Sequence, residues 1–158
     1  MPKRTLYNED HQLFRESVKK MYAKELVPFV EEWETKGLVS RAFWTACGDN
    51  GMLLPDIPEE YGGGGLDFKF NAILLEETAL AGTTGPAFGV HNDIVAHYIH
   101  NYGSESVKKH WLPKMATGEA IGAICMSEPS TGSDLKAVRS KAMPVEGGFI
   151  LNGSKTFI

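Results

Sequence analysis

The spacing of apolar residues near the start of the chain limits its fold more than any other sequence feature. Apolar side chains recur there at intervals of three and four residues, which places them on one face of an amphipathic helix. Asn8 is suited to cap this helix, Pro28 predicts a kink or break within it, and Gly37 is a stop signal. The apolar positions are Phe14, Val18, Met21, Tyr22, Leu26, Phe29, Val30 and Trp33.

Further helices are predicted as far as Thr117. They begin near Ser40, Asp67, Pro86 and Ser104, and the last three end near Gly82, Gly103 and Thr117. Val90, Ile94, Val95, Tyr98, Ile99 and Tyr102 form the apolar face predicted for the helix after Pro86. The three tryptophans fall on apolar helical faces and are predicted to lie in the core: Trp33, Trp44 and Trp111.

The run of glycines from Gly62 to Gly65 is interpreted as a flexible linker. No Lys-Ser/Thr pair follows it, so it does not match a phosphate-binding loop. His97 and His100 are spaced to ligate a metal, but no cysteine or carboxylate completes a set at ligand spacing. A metal site is therefore not predicted.

The sequence pattern changes after Gly118. Ala120–Met126 is a continuous apolar run of strand length, and Glu146-Gly147-Gly148 predicts a hairpin turn between two further strands. The fold class predicted is mainly α, with a helical domain at 1–119 and the start of a β domain at 120–158. The final residues predict a strand, a turn at Asn152-Gly153 and a second strand that ends on Phe157 and Ile158. An apolar edge of this kind would be left unpaired, so the sheet is expected to continue in chain not present here; the alternative is a short terminal strand packed on the helices.

Charge and composition exclude several functions. A net charge of −4 argues against nucleic acid or an anionic membrane as a partner, and no apolar stretch is long enough to span a bilayer. Cys47 and Cys125 lie far apart, which indicates a reducing compartment. Residues 1–10 lack the apolar core of a signal peptide, and Glu9 and Asp10 argue against a mitochondrial transit peptide. The location expected is therefore the bacterial cytoplasm rather than the mitochondrial matrix.

A polar segment follows the apolar run. Ser127, Ser130, Thr131 and Ser133 supply hydroxyls around Gly132, a surface able to bind a phosphate or the edge of a heteroaromatic ring. An ordinary turn is the alternative interpretation of the same residues.

The sequence resembles the acyl-CoA dehydrogenases. Its residues 124–135, ICMSEPSTGSDL, resemble the first signature of that family, and residues 151–158, LNGSKTFI, resemble the second. The loop at residues 58–63, PEEYGG, and the segment from Ser104 to Gly118 are also similar. Residues 40–51 and 84–94 look most like the long-chain members.

The resemblance implies a helical N-terminal domain, a middle β domain and a C-terminal helical bundle, of which this sequence would hold the first and the beginning of the second. It implies FAD as the cofactor. The residues that would contact FAD are Ile124, Met126, Ser127, Gly132, Ser133, Phe157 and Ile158. The departures from the signature are Ser130 and Thr131, where Gly-Ala is common, and Ser127, where Thr is frequent. Ser127 keeps a hydroxyl, whereas Ser130 would be strained if its position needs a positive φ.

The family reaction removes an α proton and a β hydride from an acyl-CoA thioester and passes the electrons to an electron-transfer flavoprotein. Ser133, Ala87 and His91 would lie near the substrate, and small residues at Ala87 and Gly89 would admit a medium to long acyl chain. The catalytic glutamate of the family lies in its C-terminal bundle, so none is assigned here and Glu128 is not given that role. The chain alone is therefore expected to be inactive.

The resemblance also implies that the full-length protein is a homo-oligomer, a dimer or tetramer. Two alternatives to a dehydrogenase remain open. One is a flavin oxidase or monooxygenase of the same fold, and the other is a non-enzymatic helical binding module.

Overall fold

A computed structural model describes residues 5–158. The prediction that no signal peptide is present falls partly on residues 1–4, which lie outside the described residues. The chain divides into two compact units, a first unit that ends at Ala123 and a second unit that begins at Ile124.

The first helix and its break are confirmed. Helix α1 spans Glu9–Glu25, and the Asn8 side chain accepts a hydrogen bond from the His11 N–H at 3.0 Å. Because Pro28 cannot donate a backbone hydrogen bond, α1 ends and a 3₁₀ turn at Val27–Phe29 follows. Helix α2, Val30–Lys36, then ends at Gly37, whose φ of 66° is left-handed.

The other predicted helices are also present, with one difference in type. They are α3 (Arg41–Asp49), α4 (Lys69–Leu80), a π-helix (Gly89–Ala96), α5 (His97–Tyr102) and α6 (Glu105–Ala116). The π-helix rotates its side chains away from the face predicted by an α-helical period. It buries His91, Asn92 and Ala96, whereas Tyr98 and Tyr102 of α5 are exposed.

Aromatic and aliphatic side chains fill the core of the first unit. Phe43 lies at its centre, with ring centroids 5.2 Å from Trp33 and 6.2 Å from Phe88. The prediction for Trp111 is wrong: its side chain is 45% exposed, because α6 turns Leu112 and Met115 inward instead. Trp33 and Trp44 are buried as predicted.

The glycine run is not a flexible linker. The backbone N–H of Gly64 donates to the Leu54 carbonyl at 3.1 Å, and that of Gly65 donates to the Ile57 carbonyl at 2.9 Å. A Cβ on Gly63 would overlap the carbonyl oxygen of Ile57. The loop is therefore packed backbone against backbone, which only glycine allows.

The second unit contains an antiparallel hairpin, as predicted. Strand β1 (Lys141–Val145) pairs with β2 (Gly148–Asn152), and Met143 lies opposite Ile150. Every residue of both strands is exposed. A 3₁₀ turn at Leu135–Ala137 precedes the hairpin.

Two predicted strands are absent from the described residues. Ala120–Met126 pairs with no strand there, and its Gly122 N–H donates instead to the His91 ring at 2.9 Å. The segment after Gly153 is not a strand in the described chain, where β1 pairs only with β2, and Phe157 near its end adopts a φ of 55°.

None of the helices within residues 5–158 is both long and apolar enough to cross a membrane.

Candidate functional site

The two segments that resemble family signatures meet in the second unit. The Thr156 N–H donates to the Ser127 carbonyl at 3.0 Å, and Lys155 Nζ lies 3.3 Å from the Met126 carbonyl. Residues almost thirty positions apart in sequence are thereby brought side by side. The structure places the start of one segment against the end of the other.

The Glu128 carboxylate holds these segments together. Its side chain is only 3% exposed and accepts hydrogen bonds from the Arg139 N–H at 2.7 Å and the Ser140 N–H at 3.0 Å. Lys155 Nζ lies 3.0 Å from the carboxylate. Hydrogen bonds from Ser140, from the Arg139 N–H and from Lys155 favour the charged form and lower the pKa of Glu128 to about 2.

Thr131 faces inward rather than onto the predicted polar surface. Its backbone exchanges two hydrogen bonds with Glu128, each 3.0 Å long, and its hydroxyl donates to the Ala137 carbonyl at 2.8 Å. Thr131 is therefore buried, and the hydroxyls left at the surface of this loop are those of its serines. Ser130 is not among the residues with positive φ, so the substitution there introduces no left-handed strain.

The residues predicted to bind a cofactor differ in exposure. Gly132 and Ser133 are exposed, whereas Ile124 and Ser127 are partly buried. Met126 lies in the segment that contacts Lys155, and Phe157 follows Thr156 directly. The Phe157 ring is 97% exposed, and Ile158 is exposed beside it.

Ala87 lies two residues before the π-helix of the first unit. Its φ of 49° is unusual for a residue with a Cβ, and its carbonyl accepts hydrogen bonds from the N–H groups of Val90 and His91. Backbone strain of this kind costs about 1–3 kcal/mol and is often retained at ligand-binding positions. Ala87 is exposed.

His91 is fully buried, and both ring nitrogens have partners. The Gly122 N–H donates to Nδ1 at 2.9 Å, so the proton of the neutral ring lies on Nε2, which donates to the Met115 carbonyl at 3.2 Å. Burial disfavours the charged ring and lowers the pKa of His91 to about 4. Neither nitrogen is left to bind a substrate in this structure.

The other two histidines of this region contact side chains of the loop before α4. His97 Nε2 lies 3.0 Å from Asp56, and the His100 ring packs edgewise on Tyr61 with centroids 5.7 Å apart. Within residues 5–158, no three histidine, cysteine or acidic side chains cluster as a metal site would require.

Sequence reasoning missed the role of Lys155. Its charge is opposite to that of Glu128, and the two residues belong to segments that resemble successive family signatures. That pairing of opposite charges was the available signal. It was insufficient because the loop geometry that brings the segments together cannot be derived from periodicity.

The family profile described as "Acyl-CoA dehydrogenase, N-terminal domain" matches residues 8–119. The chain belongs to the acyl-CoA dehydrogenase family. The match covers the helices of the first unit, including the glycine loop, and it confirms the resemblance to this family.

Similar proteins extend the match beyond those helices. The chain is 48% identical over 155 residues to the long-chain specific acyl-CoA dehydrogenase, mitochondrial, of Sus scrofa, covering 98% of this chain and 36% of that protein. The crystal structure of acyl-CoA dehydrogenase from Geobacillus kaustophilus is 41% identical, with a TM-score of 0.91 over 98% of this chain and 41% of the other. An acyl-CoA dehydrogenase complexed with FAD from Bacillus anthracis is 33% identical, with a TM-score of 0.86 over 95% of this chain and 26% of the other.

These alignments confirm the predicted fold class. The chain has the mainly helical fold that begins the acyl-CoA dehydrogenases and the first strands that follow it. It spans about a third of the length of the curated relative.

Proposed function

We propose that this chain supplies part of the FAD and acyl-CoA site of a dehydrogenase that oxidises acyl-CoA thioesters between the α and β carbons. The observation that carries the proposal is the meeting of the two signature segments, where the Thr156 N–H donates to the Ser127 carbonyl at 3.0 Å. The proposal divides the chain into a helical domain at 1–119 and the start of a β domain at 120–158. The boundary between the compact units, after Ala123, lies close to that division.

The donor groups of the second unit fit FAD. Ser127 and Ser133 carry hydroxyls that can donate to flavin ring heteroatoms or to a pyrophosphate, and Gly132 has no side chain to obstruct an approach. A Cβ at Gly132 would meet nothing within 4 Å, so the loop is open on that side. The related Bacillus anthracis protein is described as complexed with FAD, which supports the same cofactor here.

Each of these residues has a role in the proposal. Ser127 and Ser133 would donate hydrogen bonds to FAD, Phe157 and Ile158 would lie against the flavin ring, and Ile124 and Met126 would form an apolar wall beside it. FAD, when bound, would accept the hydride equivalent from the β carbon. The side chains of this chain would bind and orient FAD, and together they would exclude water from one side of the flavin ring.

Glu128 is unsuited to act as the base that removes the α proton. Both of its oxygens accept hydrogen bonds, and its pKa of about 2 makes it a poor proton acceptor near neutral pH. We propose that Glu128 fixes the loop that carries Ser127 and Ser133. The base is not proposed among residues 5–158.

The acyl chain is proposed to be medium to long. Ala87 and Gly89 carry little or no side chain at the start of the π-helix, and the similar porcine protein is described as long-chain specific. His91 is proposed to position this helix rather than to contact the substrate, since it bonds to the Met115 carbonyl and the Gly122 N–H.

Three further assignments rest on the family. We propose an electron-transfer flavoprotein as the electron acceptor, a homodimer or homotetramer as the assembly, and the bacterial cytoplasm as the location. The bacterial origin of the similar Geobacillus kaustophilus structure supports the cytoplasm. The similar porcine protein is mitochondrial, which supports the mitochondrial matrix instead.

A chimera tests the proposed function. This chain would replace the matching N-terminal segment of the Geobacillus kaustophilus enzyme, whose sequence is 41% identical. The expected chimera retains stoichiometric FAD, and anaerobic addition of a long-chain acyl-CoA bleaches the flavin absorbance. A folded chimera without flavin, or one whose flavin no acyl-CoA reduces, would contradict the proposal.

Single substitutions in the chimera test the site residues. Ser127→Ala and Ser133→Ala are each expected to weaken FAD binding about tenfold, the loss of one hydrogen bond to a charged or polarised group. Ser130→Ala is the matched control because Ser130 is exposed in the same loop and is not assigned to the site. Equal effects of all three variants would show that the loop fold, not hydrogen bonding to FAD, was disturbed.

A further inference from the structure

Two asparagines of the chain are each followed by glycine: Asn50 directly after α3, and Asn152 at the end of β2. The side chain of an asparagine can react with the backbone nitrogen of the next residue, and glycine obstructs this reaction least because it has no Cβ. Both asparagines are exposed, so access of water does not distinguish them. Their hydrogen bonds do distinguish them.

The first dipeptide, Asn50-Gly51, is held by hydrogen bonds at both reacting groups. Asn50 Nδ2 donates to the Ala46 carbonyl at 2.8 Å, and the Gly51 N–H donates to the Gly48 carbonyl at 3.0 Å. Both bonds must break before reaction, because the side chain has to turn towards Gly51 and the Gly51 nitrogen has to lose its proton. Asn50 therefore reacts only when the end of α3 opens.

The second dipeptide, Asn152-Gly153, has neither restraint. Within residues 5–158, the Asn152 side chain has no hydrogen-bond partner and the Gly153 N–H donates to no acceptor. Asn152 is the last residue of β2, and the pairing of the strands ends where it lies opposite Lys141. The side chain can therefore turn towards the Gly153 nitrogen without breaking a hydrogen bond.

Packing against Ser140 requires glycine at position 153. A Cβ there would overlap the side-chain oxygen of Ser140 and would lie 2.8 Å from the Ser140 Cα. Ser140 is itself fixed, because its N–H donates to the Glu128 carboxylate at 3.0 Å. The fold thus keeps the least obstructive residue directly after an asparagine that nothing holds in place.

We propose that Asn152 is a site of spontaneous deamidation and that the end of α3 protects Asn50 from the same reaction. The Gly153 nitrogen loses its proton to a base in the solvent and forms a bond to Asn152 Cγ. The side-chain nitrogen takes up a proton and leaves as ammonia. Water then opens the cyclic imide at one of its two carbonyl carbons. The products are aspartate or isoaspartate, and no oxidant or reductant is consumed.

The position of Asn152 gives this reaction a structural consequence. A few residues later, the Thr156 N–H donates to the Ser127 carbonyl at 3.0 Å, and Lys155 Nζ lies 3.0 Å from the Glu128 carboxylate. Isoaspartate adds a methylene group to the main chain directly before this segment, and both products add a negative charge. Deamidation is therefore expected to loosen the contact between the two signature segments.

Peptide mapping of the folded chain tests which asparagine reacts. Trypsin separates the two dipeptides, since Asn50 falls in the peptide 42–69 and Asn152 in the peptide 142–155. At mildly alkaline pH, the 142–155 peptide is expected to show the mass change of deamidation at least about tenfold faster than the 42–69 peptide. An isoaspartate methyltransferase identifies the isoaspartate product. Equal rates, a faster reaction at Asn50 or no reaction at Asn152 would overturn the proposal.

The same incubation in concentrated urea tests whether the fold causes the difference. Once the hydrogen bonds of Asn50 and Gly51 are broken, the two dipeptides are expected to react at rates within about threefold of each other. An undiminished difference in urea would show that the neighbouring sequence controls the reaction, and it would overturn the protection assigned to the end of α3.

Amide exchange tests the structural consequence. Incubation is expected to increase exchange at Thr156 about tenfold in the original chain. Asn152→Gln should prevent this increase, because the longer side chain closes a ring far more slowly. Asn50→Gln is the matched control and should behave like the original chain. A deamidated chain with unchanged exchange at Thr156 would refute the loosening of the signature segments. Because the reaction needs neither FAD nor acyl-CoA, its failure would leave the proposed function unaffected.

Discussion

The first and second units are stabilised by different kinds of interaction. The first unit surrounds Phe43 and Trp44 with helices and leaves both almost inaccessible to water. The second unit buries almost no apolar surface: every residue of β1 and β2 is exposed, and Phe149 is 72% exposed. It is held together instead by hydrogen bonds to the carboxylate of Glu128.

The contrast teaches where substitutions should matter. In the first unit, stability depends on apolar burial and on close backbone packing, so steric changes dominate. In the second unit it depends on a hydrogen-bonded charge, so chemical changes dominate. Two pairs of variants compare the units directly, and two further pairs test a buried hydrogen-bonded side chain within each unit, beginning with the largest effect.

Phe43→Ala should have the largest effect on the first unit. Loss of a fully buried aromatic ring leaves a cavity and costs about 4 kcal/mol of unfolding free energy. Phe149→Ala, its counterpart in the second unit, should cost less than about 0.5 kcal/mol because that ring is exposed. Urea unfolding followed by tryptophan fluorescence measures both. Similar losses of unfolding free energy for the two variants would contradict the proposed difference between the units.

Gly63→Ala should cost about 3 kcal/mol because its Cβ would overlap the Ile57 carbonyl oxygen. Gly132→Ala in the second unit should be nearly neutral, since nothing lies within 4 Å of the added carbon. Thermal unfolding of the two variants provides the measurement. Tolerance of Gly63→Ala would mean that the glycine loop can move away from Ile57.

His91→Gln should cost about 2 kcal/mol near neutral pH because two buried backbone groups depend on the ring. The folded pKa of His91, about 4, lies below its ordinary value of 6.5. Stability from the neutral ring is therefore present above about pH 6.5 and is lost as the pH falls towards 4. Unfolding free energies of the variant and the original chain should thus converge in acid.

The exposed His110 provides the control for that pH series. His110→Gln should leave the pH profile of stability unchanged. An identical change in the pH profile for both variants would show that His91 is not the cause of the pH dependence of stability.

Glu128→Gln should have the smallest global effect but a clear local one. The amide cannot replace both accepting oxygens or the ion pair with Lys155, so amides of β1 and β2 should exchange faster. Because the pKa of Glu128 is depressed to about 2, its stabilisation is complete above about pH 4.5 and is lost as the pH falls through about 2. Glu146→Gln, in the exposed hairpin turn, should leave exchange unchanged at every pH.

Local signals in the sequence predicted most of the helices and the hairpin. Asn8, Pro28 and Gly37 act through their own backbone or side chain, so their positions mark α1 and α2 directly. Glu146-Gly147-Gly148 marks the hairpin in the same way. The fold class and the family followed from these signals together with the quoted motifs.

Features that depend on distant partners were not predictable from periodicity. The π-helix buries His91 and Asn92 because Met115, Gly122 and Leu54 supply partners for their polar atoms. An apolar period of 3.6 residues contains no information about those partners. Trp111 is exposed because α6 offers Leu112 and Met115 as alternatives on its inner face.

The two segments of the candidate site could be identified from the sequence, but the interactions that hold them together could not. The segments at residues 124–135 and 151–158 were identified, and the structure brings them together. Thr131 was assigned to the surface because its hydroxyl resembles those of the serines near it. Its burial depends on the Ala137 carbonyl, which a turn brings back towards it.

The packed glycine loop affects how similarity to other proteins should be weighed. At Gly63 the Ile57 carbonyl excludes any side chain, and at Gly64 a Cβ would lie 2.7 Å from the Pro55 carbonyl oxygen. Any chain that folds this way must keep glycine at these positions, whatever reaction it performs. Identical glycines at these positions therefore indicate a shared fold. They are expected equally in an active enzyme and in a related protein that has lost its catalytic activity.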